Sequence, residues 1–212
     1  MESKIADMAG VLLAGGRSRR MGRDKRFIEL GGMTLFERTL RVFESVFDEI
    51  LIVVAQPGES LGNPAHRVVS DRVPNCGSLG GLYTGLHYAG RPRVFAAACD
   101  MPFLDPAVIR LMSDLDREAD IVMPRLATGL QPMHAVYSKT CLAHLEAMIE
   151  RRQLEIHTLT GHAALRIRFV EEEQVRPVDR RLLSFVNINR PEDLAFAEQL
   201  HANRQMIPGS AS

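Results

Sequence analysis

The hydrophobic pattern of the chain alternates short apolar runs with longer segments in which apolar residues recur every three or four positions. Runs of the first kind predict buried strands, and segments of the second kind predict amphipathic helices. The predicted strands span residues 9–14, 50–55, 67–70, 94–99, 121–123, 134–137, 166–170 and 184–186, and the predicted helices span 34–46, 79–89, 106–117, 139–151 and 189–200. Two helix starts carry capping signals, Thr34 with Glu37 and Asp105 followed by Pro106.

The alternation of strands and helices predicts an α/β fold with a doubly wound, mostly parallel sheet and helices on both faces. The strand at 50–55 is apolar without interruption, as expected for a parallel strand that is covered on both faces. Beyond about residue 120 the alternation weakens, which predicts a mixed sheet. Because no repeat or linker divides the chain, we expect one domain over residues 1–200 and a disordered tail at 201–212.

The composition restricts the function classes. The 212 residues carry 26 Lys plus Arg and 26 Asp plus Glu, so the formal net charge is zero, which disfavours nucleic-acid binding. Three cysteines without CxxC spacing disfavour a disulfide framework or a zinc site and predict a reducing, cytoplasmic environment. The start of the chain has no signal-peptide pattern and its apolar runs are short, so no membrane partner is expected.

A glycine pair and a cluster of cations follow the first predicted strand, in the segment LLAGGRSRRMGRDKR. Ligands of open parallel sheets bind beyond the carboxyl ends of the strands, and glycine-rich turns expose N–H groups that bind anions. Arginine and lysine both suit phosphate. The segment therefore favours a polyphosphate site, with an ordinary loop and solvated cations as the alternative. The cations are Arg17, Arg19, Arg20, Arg23, Lys25 and Arg26.

Two aspartates follow other predicted strands. Asp100 comes after the apolar run FAAAC, and a carboxylate beside a triphosphate is what Mg²⁺ prefers. Helix capping is the alternative for Asp100, although Asp105 with Pro106 already suits that role. Asp71 precedes a glycine-rich stretch that leads into a helix, where a ligand could approach closely; a plain glycine-rich loop is the alternative there.

The segment L-A-G-G-x-x-x-R-M-G-x-D-K at 13–25 resembles the nucleotide signature of the molybdenum cofactor guanylyltransferases, which belong to a larger nucleotidyltransferase family with a Rossmann-like domain. The resemblance implies that the first four residues line the nucleotide and that Arg20 and Lys25 contact its phosphates. The four are Leu13, Ala14, Gly15 and Gly16. Related cytidylyl-transferring enzymes resemble L-A-A-G at this place, so Gly15 favours guanine over cytosine.

Two further motifs of the first half carry the resemblance. C-D-M-P-F is similar to the magnesium motif of the family, which implies Asp100 as the metal ligand. The stretch from Asp71 to Gly81 resembles D-x(n)-G-P-L-x-G, which implies Asp71 in nucleotide recognition and Gly77 near the base or the second substrate. The chain departs from the pattern at Ser78, where the family has proline. A second departure is the absence of an asparagine near the end of the strand at 50–55.

The second half resembles the part of the family that faces the acceptor. Q-P-x-x-A-x-Y implies that Gln131 orients the acceptor, and N-x-N-x-P-E-D-L implies that Asn187 and Asn189 line its pocket. Arg152 is expected either to contact the phosphate of the acceptor or to complement a helix dipole. Asn189 has helix capping as its alternative.

His134, within the same strand motif, is either a group that titrates near neutral pH or a structural histidine.

These motifs predict a Mg²⁺-dependent guanylyltransferase that moves GMP from GTP to the phosphate of molybdopterin or the molybdenum cofactor and releases pyrophosphate. Arg20, Lys25 and Asp100 form the predicted catalytic set. A molybdoenzyme chaperone or another cofactor-biosynthesis protein is the expected protein partner. The alternatives are a cytidylyltransferase, a transferase for another phosphorylated small molecule, and a nucleotide-binding cofactor carrier without turnover.

Overall fold

The computed structural model of the chain describes residues 3–15, 24–59, 61 and 65–205, and it contains a large mixed sheet with helices on both faces. The strands in the described residues are β1 (Met8–Leu13), β2 (Glu29–Leu30), β3 (Met33–Thr34), β4 (Ile50–Val54), β5 (Arg67–Ser70), β6 (Arg93–Ala98), β7 (Ile121–Leu126), β8 (Gly129–Leu130), β9 (His134–Ser138) and β10 (Ile167–Glu171). The helices are α1 (Leu35–Val46), α2 (Gly77–Tyr88), α3 (Pro106–Leu115), α4 (Cys141–Glu150), α5 (Glu172–Val175) and α6 (Pro191–Gln205).

The main sheet has the strand order β10-β7-β9-β6-β1-β4-β5, with β8 paired to β7. Strands β6, β1, β4 and β5 are parallel neighbours, whereas β9 runs antiparallel to both β6 and β7. Strand β10 pairs parallel with β7. The predicted α/β class with a mostly parallel, mixed sheet is therefore confirmed.

The central strands β1 and β4 are buried along their whole length, because helices cover both faces of the sheet. One face packs against α1 and α3, and the other packs against α2 and α4. Alternating residues of β1 divide between the two cores: Leu12 contributes to the first and Val11 to the second. A third apolar cluster joins the segment after Lys25 to α6 through Ile28, Leu30 and Leu200.

Local sequence explains the helix starts. The side chain of Thr34 accepts a hydrogen bond from the backbone N–H of Glu37, whose carboxylate accepts from the backbone N–H of Thr34, so the predicted capping box is present. Asp105 caps α3, and Pro106 occupies the first position of that helix, as the sequence indicates.

Helix α2 lies unusually close to β1 because of its glycines. A Cβ atom at Gly85 would lie 2.3 Å from Cγ1 of Val11, and one at Gly81 would lie 3.1 Å from Cδ2 of Leu13. Both distances are shorter than ordinary packing contacts. Part of the glycine-rich stretch therefore serves helix–sheet packing.

Some elements of the structure differ from the sequence-based expectations. Residues 184–186 do not form a strand; a 3₁₀ turn covers Leu183–Phe185 and follows Leu182, whose φ of 53° turns the chain. The hairpin of β2 and β3, which turns at Gly31 and Gly32, was not predicted. The last helix continues to Gln205, five residues beyond the predicted limit of the domain at 200; residues 206–212 lie outside the described part.

Candidate active site

The carboxyl ends of the parallel strands bring three predicted site segments to one edge of the sheet. Cys99 N–H donates to the Leu13 carbonyl at 3.2 Å, and Asp71 N–H donates to the Val54 carbonyl at 2.8 Å. Gly15, Asp71 and Asp100 each lie immediately beyond such a strand end. We call this the carboxyl edge, and it is where an open parallel sheet binds its ligands.

Lys25 meets two distant parts of the chain at the carboxyl edge. Its Nζ donates to Oδ2 of Asp100 at 3.0 Å and to Oδ1 of Asn189 at 2.7 Å. The side chains of Lys25 and Asp100 are each 18% exposed, so the ion pair is partly desolvated yet reachable from solvent. Three segments separated by 75 and 164 positions in the sequence thus converge on one ammonium group.

A short 3₁₀ turn, Lys25–Phe27, holds Lys25 in place. Asp24 caps this turn by accepting from the backbone N–H of Arg26 at 3.0 Å. The guanidinium of Arg26 forms ion pairs with Asp24 and with Glu59, which belongs to the loop after β4. The hydrogen bond from the Arg26 side chain is the main reason that the pKa of Asp24 is lowered. Arg26, one of the predicted phosphate-binding cations, is therefore engaged by two carboxylates in this structure.

Hydrogen bonds hold the backbone before and after the side chain of Asn189. Ile188 N–H donates to the backbone carbonyl of Asp100 at 2.9 Å, and Ile188 itself is fully buried in the third apolar cluster. The backbone N–H groups of Asn189 and Arg190 both donate to Oδ2 of Asp193 at 2.8 Å. Asp193 thus accepts from two backbone N–H groups that immediately precede α6, and the side chain of Asn189 bonds to Lys25 instead. The alternative of a capping role for the Asn189 side chain is wrong.

Asp71 is half-buried at the start of the loop that leads to α2. Its Oδ1 accepts from the hydroxyl of Thr84 at 2.9 Å and from the backbone N–H of Val73 at 3.1 Å. Burial is the largest influence on this carboxyl and raises its pKa, against the lowering effect of the two hydrogen bonds. A Cβ atom at Gly80 would lie 2.9 Å from Oδ2 of Asp71, so the glycine leaves room for the carboxylate.

The N-terminus of α2 is open at the same edge. Gly77 has a φ of 58°, and no atom lies within 4 Å of the position a Cβ would take there. Cys76 precedes the helix and makes no side-chain capping bond, and Ser78 is exposed. The first N–H groups of α2 can therefore face an anion or a close ligand.

The glycine at position 15 is required for a steric reason. A Cβ atom there would lie 2.8 Å from the backbone nitrogen of Ala55, a separation that real Cβ atoms do not show. Leu13 and Ala14 are buried, and Ala14 N–H donates to the Val53 carbonyl at 2.9 Å, whereas Gly15 is exposed. Gly15 is thus the first residue after β1 that offers its backbone to solvent.

The residues predicted to face the acceptor lie at the same edge. Strand β9 runs antiparallel to β6 and starts beside Ala97, so Gln131 just before it is at the carboxyl edge. Helix α4 starts at the opposite edge and runs back, which places Arg152 at the carboxyl edge with a φ of 57°. Asn187 donates weakly from Nδ2 to the Phe185 carbonyl at 3.4 Å and precedes the anchored Ile188. Gln131 donates from Nε2 to the Gly129 carbonyl at 3.2 Å.

His134 does not titrate near neutral pH. It is fully buried between the rings of Phe95 and Phe185, with centroid distances of 5.1 Å and 4.5 Å. Burial lowers its pKa to about 3, so the imidazole is neutral. The interpretation of His134 as a group that titrates near neutral pH is therefore wrong, and its structural alternative is confirmed.

Some predicted residues fall outside the described part of the chain, and others were missed. Gly16 and Arg20 lie in the segment 16–23, which the structure does not describe, as do Arg17, Arg19 and Arg23. Sequence reasoning missed Glu59 and Thr84, which support Arg26 and Asp71. A signal existed for Thr84, because its hydroxyl is the one aliphatic hydroxyl within the run LYTGL. Among the described residues, no three His, Cys, Asp or Glu side chains cluster as a metal site.

Comparison with known proteins identifies the family to which the chain is related. The family model of the MobA-like NTP transferase domain matches residues 10–165, which is more than half of the chain. A molybdenum cofactor guanylyltransferase from Desulfosudis oleivorans is 38% identical over 193 residues, covering 90% of this chain and 94% of that relative. In the described ranges, no helix is long and apolar enough to cross a membrane.

Solved structures agree with this relationship. Molybdopterin-guanine dinucleotide biosynthesis protein A from Archaeoglobus fulgidus is 25% identical and superposes with a TM-score of 0.82 over 92% of this chain and 99% of that chain. A 2-C-methyl-D-erythritol 4-phosphate cytidylyltransferase from Thermus thermophilus, 18% identical with a TM-score of 0.67 over 91% of this chain and 98% of that chain, shares the fold. The chain therefore belongs to the MobA-like NTP transferase family and is a nucleotidyltransferase.

Proposed function

We propose that this enzyme transfers GMP from GTP to the phosphate of molybdopterin or its molybdenum-loaded form. An oxygen of the acceptor phosphate forms a bond to the α-phosphorus of GTP, the bond to the β-phosphate breaks, and pyrophosphate leaves. The observation that carries the proposal is the meeting of Lys25, Asp100 and Asn189 at the carboxyl edge. The name and coverage of the relative from Desulfosudis oleivorans support the choice of donor and acceptor.

The chemistry of Asp100 fits a magnesium ion that is shared with a nucleotide. Its Oδ2 already accepts from the ammonium of Lys25 at 3.0 Å, so the carboxylate is oriented to receive a cation. Mg²⁺ in such enzymes is held by one or two carboxylates, by substrate phosphates and by waters, so a three-residue cage is not required. Asp100 would hold the ion, which when bound would neutralise phosphate charge and polarise the reacting centre.

The chain's own residues would act mainly by positioning and by charge. We assign Lys25, and Arg20 in the undescribed segment, to the phosphates of GTP, where fixed cations stabilise the leaving pyrophosphate. The open N-terminus of α2 at Gly77 and the backbone of Gly15 would lie against the nucleotide. Leu13, Ala14 and Gly16 belong to the same proposed turn, and Asp71 would recognise the nucleoside.

No strong general base is needed for this reaction. The second pKa of a phosphate monoester is near 6, so the attacking group is largely anionic at neutral pH. His134 is buried and neutral, with a pKa lowered to about 3. Burial raises the pKa of Cys99, beside Asp100, to about 12, so its thiol is not a thiolate nucleophile. Neither His134 nor Cys99 is therefore expected to act as a base or a nucleophile. This is consistent with direct attack by the acceptor phosphate.

The acceptor would occupy the side of the carboxyl edge formed by the second half of the chain. Gln131 and Asn187 would orient the acceptor through their amides, and Arg152 would contact its phosphate. We further propose that the enzyme works in the cytoplasm, and that a molybdoenzyme chaperone or another cofactor-biosynthesis protein receives the product. Residues 1–200 would act as one domain.

A panel of the four nucleoside triphosphates with Mg²⁺, scored by thermal shift, tests the donor. A nucleotide present at 100 times its Kd stabilises the folded protein by about 2.7 kcal/mol. We expect GTP to raise the melting temperature, and CTP to raise it little at the same concentration. Stabilisation by CTP alone would instead identify a cytidylyltransferase.

Pyrophosphate release tests the reaction itself. Purified enzyme with GTP and Mg²⁺ is expected to release pyrophosphate only after molybdopterin is added, because the acceptor supplies the attacking oxygen. GTP binding without any release on addition of the acceptor would instead indicate a nucleotide-binding carrier without turnover.

A further inference from the structure

The ammonium of Lys25 lies closer to the amide oxygen of Asn189 than to the carboxylate of Asp100. The separation of 2.7 Å between Nζ and Oδ1 is shorter than the 3.0 Å separation of the ammonium from Asp100. A hydrogen bond from an ammonium to an amide oxygen is charge-assisted and fixes the position of the charge. An ammonium has three N–H donors, and these two bonds use two of them.

The anchoring of Asn189 suits a fixed support for the lysine. Ile188 is tied to the backbone carbonyl of Asp100, and Asp193 holds the backbone N–H of Asn189. The backbone segments that carry Asn189 and Asp100 are therefore tied directly to each other.

The chemistry of the two acceptors differs in a way that matters during binding. The Mg²⁺ ion of a bound nucleotide would compete with Lys25 for the carboxylate of Asp100, because the metal ion and the ammonium are both cations that bind the same oxygens. The neutral amide of Asn189 adds no negative charge against the triphosphate. It can therefore keep the ammonium at the site when Asp100 is occupied.

We propose that Asn189 is a positioning residue for the donor: its amide oxygen holds the Lys25 ammonium against the phosphates of GTP. This inference rests on the proposed function. It assigns to Asn189 a role on the donor side, whereas the resemblance implies a role in the acceptor pocket. Asn203, which is exposed on α6, lies outside the proposed binding residues and serves as the control.

The test measures binding of GTP with Mg²⁺ by titration calorimetry in the absence of acceptor. Asn189→Ala is expected to weaken GTP binding on the order of tenfold, as for the loss of a charge-assisted hydrogen bond. Asn203→Ala is expected to leave GTP affinity unchanged. In a double-mutant cycle, Lys25→Ala with Asn189→Ala should bind no worse than Lys25→Ala alone, because the amide acts through the lysine.

The outcomes separate this inference from the proposed function. Unchanged GTP affinity in Asn189→Ala, with a raised KM for the acceptor, would overturn the inference and assign Asn189 to the acceptor pocket. Failure of the wild-type protein to bind GTP would overturn the proposed function instead. If Asn189→Ala does not fold by circular dichroism, Asn189→Ser replaces it, since a hydroxyl one bond shorter cannot reach Nζ; full GTP affinity in folded Asn189→Ser would likewise overturn the inference.

Discussion

The two halves of the sheet bring residues to the carboxyl edge by different means. In the first half (residues 8–100), Gly15, Asp71 and Asp100 arrive there because β1, β5 and β6 are parallel and end together. In the second half (residues 121–205), the strands run in both directions. Site residues there are positioned by turns and by single hydrogen bonds. Asn189, for example, is placed by the bond from Ile188 N–H to the Asp100 carbonyl.

The comparison shows two ways in which the fold positions site residues. One is the register of parallel strands, and the other is the anchoring of a single turn by local hydrogen bonds. A parallel register positions several residues together, since strand ends share one edge whatever their side chains are. An anchored turn positions one residue and depends on a few named contacts. Catalytic function is therefore expected to respond to single polar substitutions at the meeting point, and stability to packing changes in the first half.

The largest expected effect is on Lys25, where the two halves meet. Lys25→Ala should reduce pyrophosphate release by about a hundredfold or more, because a preorganised charge on the leaving phosphates is lost. Its fold should persist, because the side chain is on a short turn outside the sheet. The measurement is kcat/KM for GTP, with circular dichroism of the variant. Lys4→Ala, which removes an exposed ion pair with Asp48, is the control and should keep wild-type turnover.

The next effect tests the tight packing of the first half. Gly85→Ala would place a Cβ 2.3 Å from Cγ1 of the buried Val11 and should lower the free energy of unfolding by about 1–3 kcal/mol. Gly161→Ala in the second half meets nothing within 4 Å and should change it little. Denaturant unfolding of both variants measures the difference. Equal stability of the two would contradict the claim that α2 packs tightly on β1.

A third prediction concerns the pH dependence of stability. The folded pKa of His134, about 3, lies below its ordinary value of 6.5, so the unfolded state binds more protons between these values. Stability from the neutral imidazole is complete above pH 6.5 and is lost as the pH falls toward 3, with a slope of up to about 1.4 kcal/mol per pH unit.

The measurement for His134 is urea unfolding at pH 7 and pH 5. His134→Leu should lose less stability than the wild type over this interval, and the exposed His157→Gln should behave as the wild type does. An identical pH dependence in His134→Leu and the wild type would show that this imidazole is not the source of the slope.

The smallest expected effect is on stability. It compares the loss of a helix-capping hydrogen bond with the loss of an isolated hydroxyl hydrogen bond. Thr34→Ala removes the capping bond to Glu37 N–H and should cost about 1 kcal/mol of unfolding free energy. Thr158→Ala removes an exposed bond to the Glu155 carbonyl in the second half and should stay within about 0.5 kcal/mol of the wild type. Thermal melts compare the two, and a larger loss for Thr158 would reverse the expected order.

The sequence predicts the first half better than the second for a physical reason. Uninterrupted apolar strands such as β4 are recognisable from composition, and their shared edge then places Asp100 with the glycine turn. The strand expected at 184–186 is wrong because Leu182 adopts a φ of 53°, which its side chain does not reveal. The contact of Lys25 with Asn189 spans 164 positions and depends on the backbone bond of Ile188, which no local pattern encodes. Predictions for Arg20 and Gly16 stay predictions.

The close approach of Gly15 to Ala55 has a consequence for changing the nucleobase that the enzyme uses. Any larger residue at position 15 would press its Cβ onto the Ala55 nitrogen, at 2.8 Å, whichever base were bound. The glycine is thus demanded by the spacing of β1 and β4, independently of guanine. An attempt to convert the enzyme to CTP by Gly15→Ala alone would therefore distort the turn, unless the backbone at Ala55 were displaced as well.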